Sequence, residues 1–334
     1  MNMIIHNTSI TIAVKINPAQ CHRLRHIYSF WSSIKRTLAC PSCTSSTHQK
    51  ILLARPNKHA KQQHPERVSA CEAMAAPAAS ALPLDGRVAL VTGGSRGIGR
   101  EVCAHLASLG ARVVVNYASN SANADAFAAD LNSRGAAALP RAVAVRADVS
   151  DPAAVRALFD RAEEAFGTPP HIVVACAGLL ESKYPSLADT AVEDFDAMLA
   201  VNVRGTFLVC REAANRIPAG AGGRVVTFSS SILGTLLPGY AAYTATNGAV
   251  EAMTRIMAKE VAAKGMTANV VAPGPVRTEL FMAGKDEAFV RKVEERSMGR
   301  IAETTDVAPV VAFLVSDAAA WVNGQVIRVN GGFA

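Results

Sequence analysis

Between residues 87 and 329 the chain repeats one pattern: a short run of β-branched and aliphatic residues, then a longer stretch with helical spacing. The runs are RVALVT (87–92), ARVVVN (111–116), RAVAVR (141–146), HIVVAC (171–176), GRVVTF (223–228), TANVVA (267–272) and GQVIRV (324–329). Most are apolar without alternation, as strands covered on both faces must be. Stretches Gly97–Ser108, 123–133, Pro152–Phe166, 192–216, 240–263 and 305–314 are long enough for helices. Ser150 ahead of Asp151-Pro152, and Thr305 ahead of Asp306, predict two helix caps. Such alternation leaves few options. It predicts an α/β chain with a single doubly wound seven-stranded parallel sheet (Rossmann-type), helices on both faces and right-handed crossovers. That domain takes up residues 84–334, with no sign of a second one.

What precedes the pattern differs in kind. Residues 1–73 hold 10 Lys/Arg against 2 Asp/Glu, whereas residues 74–334 hold 24 against 25. The net charge of +7 therefore belongs to the extension, and the folded part has no field to steer a polyanion. Nucleic-acid binding is not expected. No apolar run approaches the ~18 residues of a membrane span, so the chain reads as soluble, without membrane contact. Residues 1–80 are expected to be a basic, unstructured extension. Its acid-poor, Arg/Lys- and Ser/Thr-containing composition is that of an organelle transit peptide. Translation from Met74 would instead make residues 1–73 a gene-model artefact and leave the protein cytoplasmic. Cys40-Pro-Ser-Cys43 with His48 offers fewer than the four spaced ligands of a zinc site, so no metal is expected. Cys103, Cys176 and Cys210 lie in element-like segments and read as reduced thiols.

The first run ends in Thr92-Gly93-Gly94-Ser95-Arg96-Gly97-Ile98-Gly99 and passes straight into a helical stretch. Glycines at 93, 97 and 99 permit a tight turn, approach of a pyrophosphate to backbone N–H groups, and close packing of helix on strand. Gly93, Ser95, Arg96, Gly97, Ile98 and Gly99 are therefore candidate dinucleotide-binding residues. Enzymes that use NAD place an acid after the second strand to hold the ribose hydroxyls. Here that segment reads Asn116-Tyr117-Ala118-Ser119-Asn120-Ser121, with no acid before Asp125. Donors from Asn116, Ser119 and Asn120, with the Arg96 guanidinium, suit the 2′-phosphate of NADP(H).

TGGSRGIG resembles the TGxxxGxG fingerprint of the classical short-chain dehydrogenase/reductase family, and the resemblance runs from about residue 84 to residue 334. KYPSLADTAVEDFD, APGPVRTE and WVNGQVIRVNGG are most similar to the plant branch described as chloroplastic NADPH-dependent aldehyde reductase-like proteins. The resemblance implies that Asp148 and Val149 border the adenine. Ala177 and Gly178 would lie behind the cofactor, and Pro273, Gly274, Val276 and Thr278 would hold its nicotinamide end. It implies catalytic work for Asn202, which props open its helix for a water-linked proton path. Tyr243 would be the general acid, with a serine of Ser229-Ser230-Ser231 holding the substrate carbonyl. Ser230 and Ser231 lie 13 and 12 residues before Tyr243; both spacings occur in the family, so both remain candidates. Family members commonly form homodimers or homotetramers through the helices carrying Asn202 and Tyr243.

One departure bears on chemistry. The family's Tyr-x-x-x-Lys should end at position 247, where this chain has Asn247. Residues four apart share a helix face, so both side chains would meet the cofactor together. In the family the lysine binds the nicotinamide ribose and lowers the tyrosine pKa; asparagine keeps a hydrogen bond but supplies no charge. Lys259 and Lys264 lie three or more turns further on. Binding of NADPH is expected to persist and hydride transfer to slow. Cys176 replaces a family amide and reads as a small packed residue rather than a reactive thiol. Three readings follow. The first is an NADPH-dependent reductase of a small aldehyde or ketone. The second is a catalytically weakened dinucleotide-binding protein acting as scaffold or oligomer partner. The third is a 3-oxoacyl-carrier reductase, with Arg291, Lys292, Arg296 and Arg300 as a basic patch for an acidic carrier. Segments 179–188 and 279–289 would choose the substrate.

Overall fold

Each of the seven apolar runs forms a strand of one parallel sheet. The strands are β1 Val88–Thr92, β2 Arg112–Tyr117, β3 Ala142–Arg146, β4 Ile172–Ala175, β5 Arg224–Phe228, β6 Thr267–Pro273 and β7 Val326–Val329. They pair in the order β3-β2-β1-β4-β5-β6-β7. The computed structural model describes residues 2–6, 9–13, 82–134 and 140–334. Contacts divide the chain into Met1–Ala73 and Met74–Ala334. Within the first unit, Asn2–His6 and Ser9–Ala13 pair as an antiparallel hairpin. The remainder of the expected extension, with Cys40, Cys43 and His48, lies outside the described residues.

The sheet is covered on both faces, and strand periodicity sorts its side chains. In β1, Ala89 and Val91 join one core with Val102, Leu106 and Phe127, while Val88 and Leu90 join the other with Leu158, Phe159 and Val209. Successive strand residues point to opposite faces, so one five-residue run feeds two cores. A fully buried side chain such as Leu90 contributes roughly 1.5–3 kcal/mol by leaving water.

Helices α1 Gly97–Ser108, α2 Ser121–Ser133 and α3 Pro152–Phe166 follow the first three strands. In α3 the buried residues Val155, Leu158, Phe159, Ala162 and Phe166 form one stripe, Pro152 opens the helix and left-handed Gly167 closes it. Its cap is Asp151, whose carboxylate accepts from the Ala153 N–H at 2.8 Å. Ser150, expected to cap, instead donates its hydroxyl to Asp148. The predicted helix 192–216 is three pieces: α4 Val192–Met198, a π-helical turn Leu199–Gly205, and α5 Thr206–Arg216. Next come the short α6 Ile232–Thr235 and the long α7 Ala241–Glu260, then α8 Glu279–Met282, α9 Glu287–Glu295 and α10 Thr304–Val315. The cap of α10 is Glu303 in a reciprocal box with Asp306, not Thr305, because the acid two residues earlier reaches the free N–H groups. No described helix is long and apolar enough to cross a membrane.

Candidate active site

Strand order reverses between β1 and β4, and a crevice opens there beyond the carboxyl ends of the strands. Thr92 closes its base: the hydroxyl oxygen accepts from the Cys176 and Ala177 N–H groups at 3.1 and 3.2 Å, tying the ends of β1 and β4 together. The glycine turn lies above. Gly97 has φ +54°, which side chains disfavour, and a Cβ on Gly99 would stand 2.3 Å from the Gly93 carbonyl oxygen. Arg96 occupies the N-cap position of α1 without a side-chain cap bond, so the first-turn N–H groups are left for an anion.

The cleft above this turn holds most of the expected cofactor residues. Gly93, Ser95, Arg96, Gly97, Ile98 and Gly99 line one side, with Asn116, Ser119 and Asn120 beside them. Asp148, Val149, Ala177 and Gly178 line the other, and Thr278 reaches in from the loop after β6. Pro273, Gly274 and Val276 border the adjoining cavity instead. A dinucleotide fits this cradle: the glycines leave the space a Cβ would fill, and the helix end supplies free donors.

Two expected phosphate ligands are already engaged. Asn116 is buried; its amide donates to the Ala147 carbonyl at 3.0 Å, and its oxygen accepts from the Gly93 N–H at 3.3 Å. It therefore braces the turn instead of offering the donor expected of it. The Arg96 guanidinium lies 3.0 Å from the Glu279 carboxylate.

The second cavity shares Ile98, Cys176, Ala177, Gly178, Thr278 and Leu280 with the cleft. At its floor three serines end β5, and burial separates them. Ser229 donates to Glu251 at 3.0 Å, and Ser231, almost wholly buried, donates to the Ala272 carbonyl at 3.0 Å. Ser230 is the least buried of the three; its oxygen accepts from the Ile232 N–H at 3.2 Å, and its hydroxyl is not donated to the sheet. The one proton of Ser231 is thus committed to the sheet. Tyr243 lies in the first turn of its helix. Burial raises its pKa, against smaller lowering by the Asn247 and Ser230 side chains; Cys176 and Tyr184 raise it further. Among the described residues no cation acts on it. Asn247, one turn on, is buried and donates to the Tyr243 carbonyl at 2.8 Å.

Asn202 lies inside the π-helical turn, where an extra residue per turn opens the helix. Its amide accepts from the Leu179 N–H at 2.7 Å and donates to the Leu179 carbonyl at 2.9 Å and the Thr246 hydroxyl at 3.1 Å. Thr246 in turn donates to the Tyr243 carbonyl, so Asn202 fastens the loop after β4 to α7. Burial pushes the Cys176 thiol up to about 12; the side chain packs against the core and lines both the cleft and the cavity. Cys103, Cys176 and Cys210 are all free thiols.

Tyr184 and Lys285, from the two segments expected to choose the substrate, pack against Tyr240, Phe281 and Phe289 of this cavity's lining. Tyr184, with φ +51°, stacks on Tyr240 at 4.9 Å and donates its hydroxyl to the Ala283 carbonyl. Lys285 donates to the Tyr184 hydroxyl and the Phe281 carbonyl, with its ammonium 4.3 Å from the Tyr184 ring centre and 4.5 Å from that of Phe281. Desolvation lowers its pKa from 10.5 to about 8. Between those values the unfolded chain binds more protons, so this cluster's contribution to stability should grow as pH rises through that window. The melting temperature at about pH 9.5 relative to about pH 7.5 should then be higher in the native chain than in Lys285→Met. An identical pH profile for both proteins would refute the assignment. Among the described residues no Asp, Glu, Lys, Arg or His lines this cavity; its walls are Tyr240, Phe281, Phe289, Phe333, Leu180 and Leu237.

Comparison with known proteins gives the ancestry of this arrangement. A family model described as enoyl-(acyl carrier protein) reductase matches residues 93–334. An Arabidopsis thaliana protein named NADPH-dependent aldehyde reductase-like protein, chloroplastic, is 51% identical over 262 residues, spanning 75% of this chain and 96% of that one. A Picea abies short-chain type dehydrogenase/reductase is 51% identical over 252 residues, covering 75% and 93% of the two chains. The crystal structure of a short-chain dehydrogenase from Burkholderia cenocepacia in complex with NADP has a TM-score of 0.69 at 35% identity, over 75% of this chain and 99% of that one. With the glycine turn, the reversed strand order and a Ser–Tyr pair in one crevice, the chain belongs to the classical short-chain dehydrogenase/reductase family.

Proposed function

We propose that the chain is an NADPH-dependent reductase that transfers hydride to the carbonyl of an uncharged aldehyde or ketone, at a rate limited by Asn247. The observation that carries this reading is that Ser230, Tyr243 and Asn247 line one cavity, which adjoins the cofactor cleft through Ile98, Cys176, Ala177, Gly178, Thr278 and Leu280. NADPH supplies the hydride. Ser230 holds the carbonyl oxygen, and the Tyr243 hydroxyl, kept protonated by burial, gives that oxygen a proton. Asn202 holds the wall that positions the catalytic helix. The apolar walls exclude water, and a charged substrate would lose its hydration there without finding a partner.

Consumption of NADPH with a panel of neutral carbonyl compounds and keto acids tests the reading. Turnover is expected with the neutral compounds alone. Ser230→Ala should lower kcat by roughly 10²-fold, as for loss of one oxyanion donor. Ser231→Ala should leave kcat within a few-fold and lower stability by about 1 kcal/mol for its lost hydrogen bond. Reversed effects would reassign the serine.

Asn247 also supports a second reading, a weakened dinucleotide-binding protein kept as a scaffold or oligomer partner, because no cation among the described residues acts on Tyr243. The third reading draws less support. Arg291 lies 3.5 Å from Glu287 and Arg300 2.6 Å from Asp306, so two of the four basic residues face acids of this chain. Self-association into a homodimer or homotetramer is supported by exposed Phe207 on α5 and Ile256 on α7. The acid-poor extension, and the chloroplastic names of the Arabidopsis relatives, favour the chloroplast.

A further inference from the structure

We propose that Glu279 sets how tightly this protein holds the 2′-phosphate of its cofactor, by competing for Arg96. The proposal rests on the NADP(H) reading and assigns a specificity-tuning role to a residue outside the glycine turn.

Arg96 is the one cationic side chain lining the cofactor cleft among the described residues. Two carboxylates line the same cleft, and they differ in their engagements. Asp148 accepts from both the N–H and the hydroxyl of Ser150, at 2.9 and 2.8 Å, and is held within its own turn. Glu279 contacts Arg96 instead, across 183 positions of sequence, at 3.0 Å. A cation available for phosphate is thus already matched by an anion of the protein.

The pair is built to exchange. Its side chains are 67% and 77% exposed, so packing holds neither in place. Contact runs through the single Nη1 nitrogen of the guanidinium. A phosphate carries more charge than a carboxylate and can take two N–H groups of the guanidinium at once. The backbone nearby is firmer: Thr278 caps α8 by accepting from the Phe281 N–H at 3.2 Å, which keeps Glu279 at the rim of the cleft. When the 2′-phosphate reaches Arg96, the Glu279 carboxylate must leave the guanidinium or stay beside a second anion. Exposed ion pairs of this kind change an equilibrium by about two- to five-fold, and that is the expected penalty on the phosphorylated cofactor alone.

The test uses nucleotides that lack the nicotinamide, so the result does not depend on catalysis. Calorimetry would give the Kd of adenosine 2′,5′-bisphosphate and of 5′-ADP for the full chain and its Glu279→Gln, Arg96→Ala and doubly substituted variants. Glu279→Gln should tighten the 2′,5′-bisphosphate by about two- to five-fold and leave 5′-ADP nearly unchanged. In the Arg96→Ala background the same substitution should have no effect, which separates pairing with Arg96 from a general field. Equal tightening of both nucleotides, or persistence of the effect without Arg96, would overturn the proposal. A native chain that binds the two nucleotides equally, with Arg96→Ala changing neither, would overturn the phosphate reading beneath it.

Discussion

The Asn247→Lys variant should reduce carbonyl substrates about 10²-fold faster than the native chain. The argument is electrostatic. A unit charge about 5 Å from the Tyr243 hydroxyl, at an effective dielectric near 20, is worth roughly 3 kcal/mol, or about two pKa units. In the native chain burial raises the Tyr243 pKa, and no cation among the described residues opposes it. The Asn247 amide reaches back to its own helix, whereas a lysine could extend into the cavity that this position lines. A more acidic tyrosine is the better proton donor, and the ammonium would also steady the nicotinamide ribose. The pH profile gives the sign. Oxidation of an alcohol needs the tyrosinate and gains rate as pH rises through its pKa, so that limb should move down by about two units in the variant. Equal rates and coincident limbs would show that Tyr243 needs no charge at position 247.

Substituting Gly99 by alanine should damage the fold and the cofactor site together. The added methyl would stand 2.3 Å from the Gly93 oxygen, 2.9 Å from its carbonyl carbon and 3.2 Å from the Gly94 Cα. All three are backbone atoms, so no side chain can swing aside. Either α1 tilts away from β1 or the turn opens, and both displace the N–H groups that face the cofactor. Overpacking of this kind costs about 3 kcal/mol, which for a domain of this size lowers Tm by roughly 6–12 °C. Binding of NADPH should weaken more than 10-fold, by fluorescence titration at a temperature where the variant is still folded. A variant with native Tm and affinity would mean that the close contact of turn and helix does no structural work.

The sheet was legible because strands buried on both faces announce themselves in composition, and all seven runs became strands. Helices α1 and α3 likewise match the predicted bounds, since each carries several turns of apolar periodicity. What escaped depends on three dimensions. A π-helical turn adds one residue to an otherwise regular pattern, so 192–216 reads as one helix. Ser230 and Ser231 are adjacent and chemically identical, and only burial tells them apart. Asn116 shows its donors in the sequence but not that neighbouring backbone has already taken them. The cluster of Tyr184, Tyr240 and Lys285 draws on three distant segments, as does the Arg96–Glu279 pair on two, and no local spacing reports such meetings. A weak signal did exist for α9: Asp286 three residues before Phe289 is a capping pattern, and Phe289 and Val293 recur at helical spacing.

An uncharged cavity has a consequence for selectivity. With no charged side chain among its described lining residues, it offers neutral donors for a carbonyl oxygen but no charge partner for a substrate's remaining atoms. Steep discrimination comes from buried polar groups left unpaired by the wrong substrate, and each methylene in an apolar pocket changes preference by only about 10–200-fold. On the proposed reading, graded promiscuity is the expected result: a range of neutral carbonyl compounds ranked by shape.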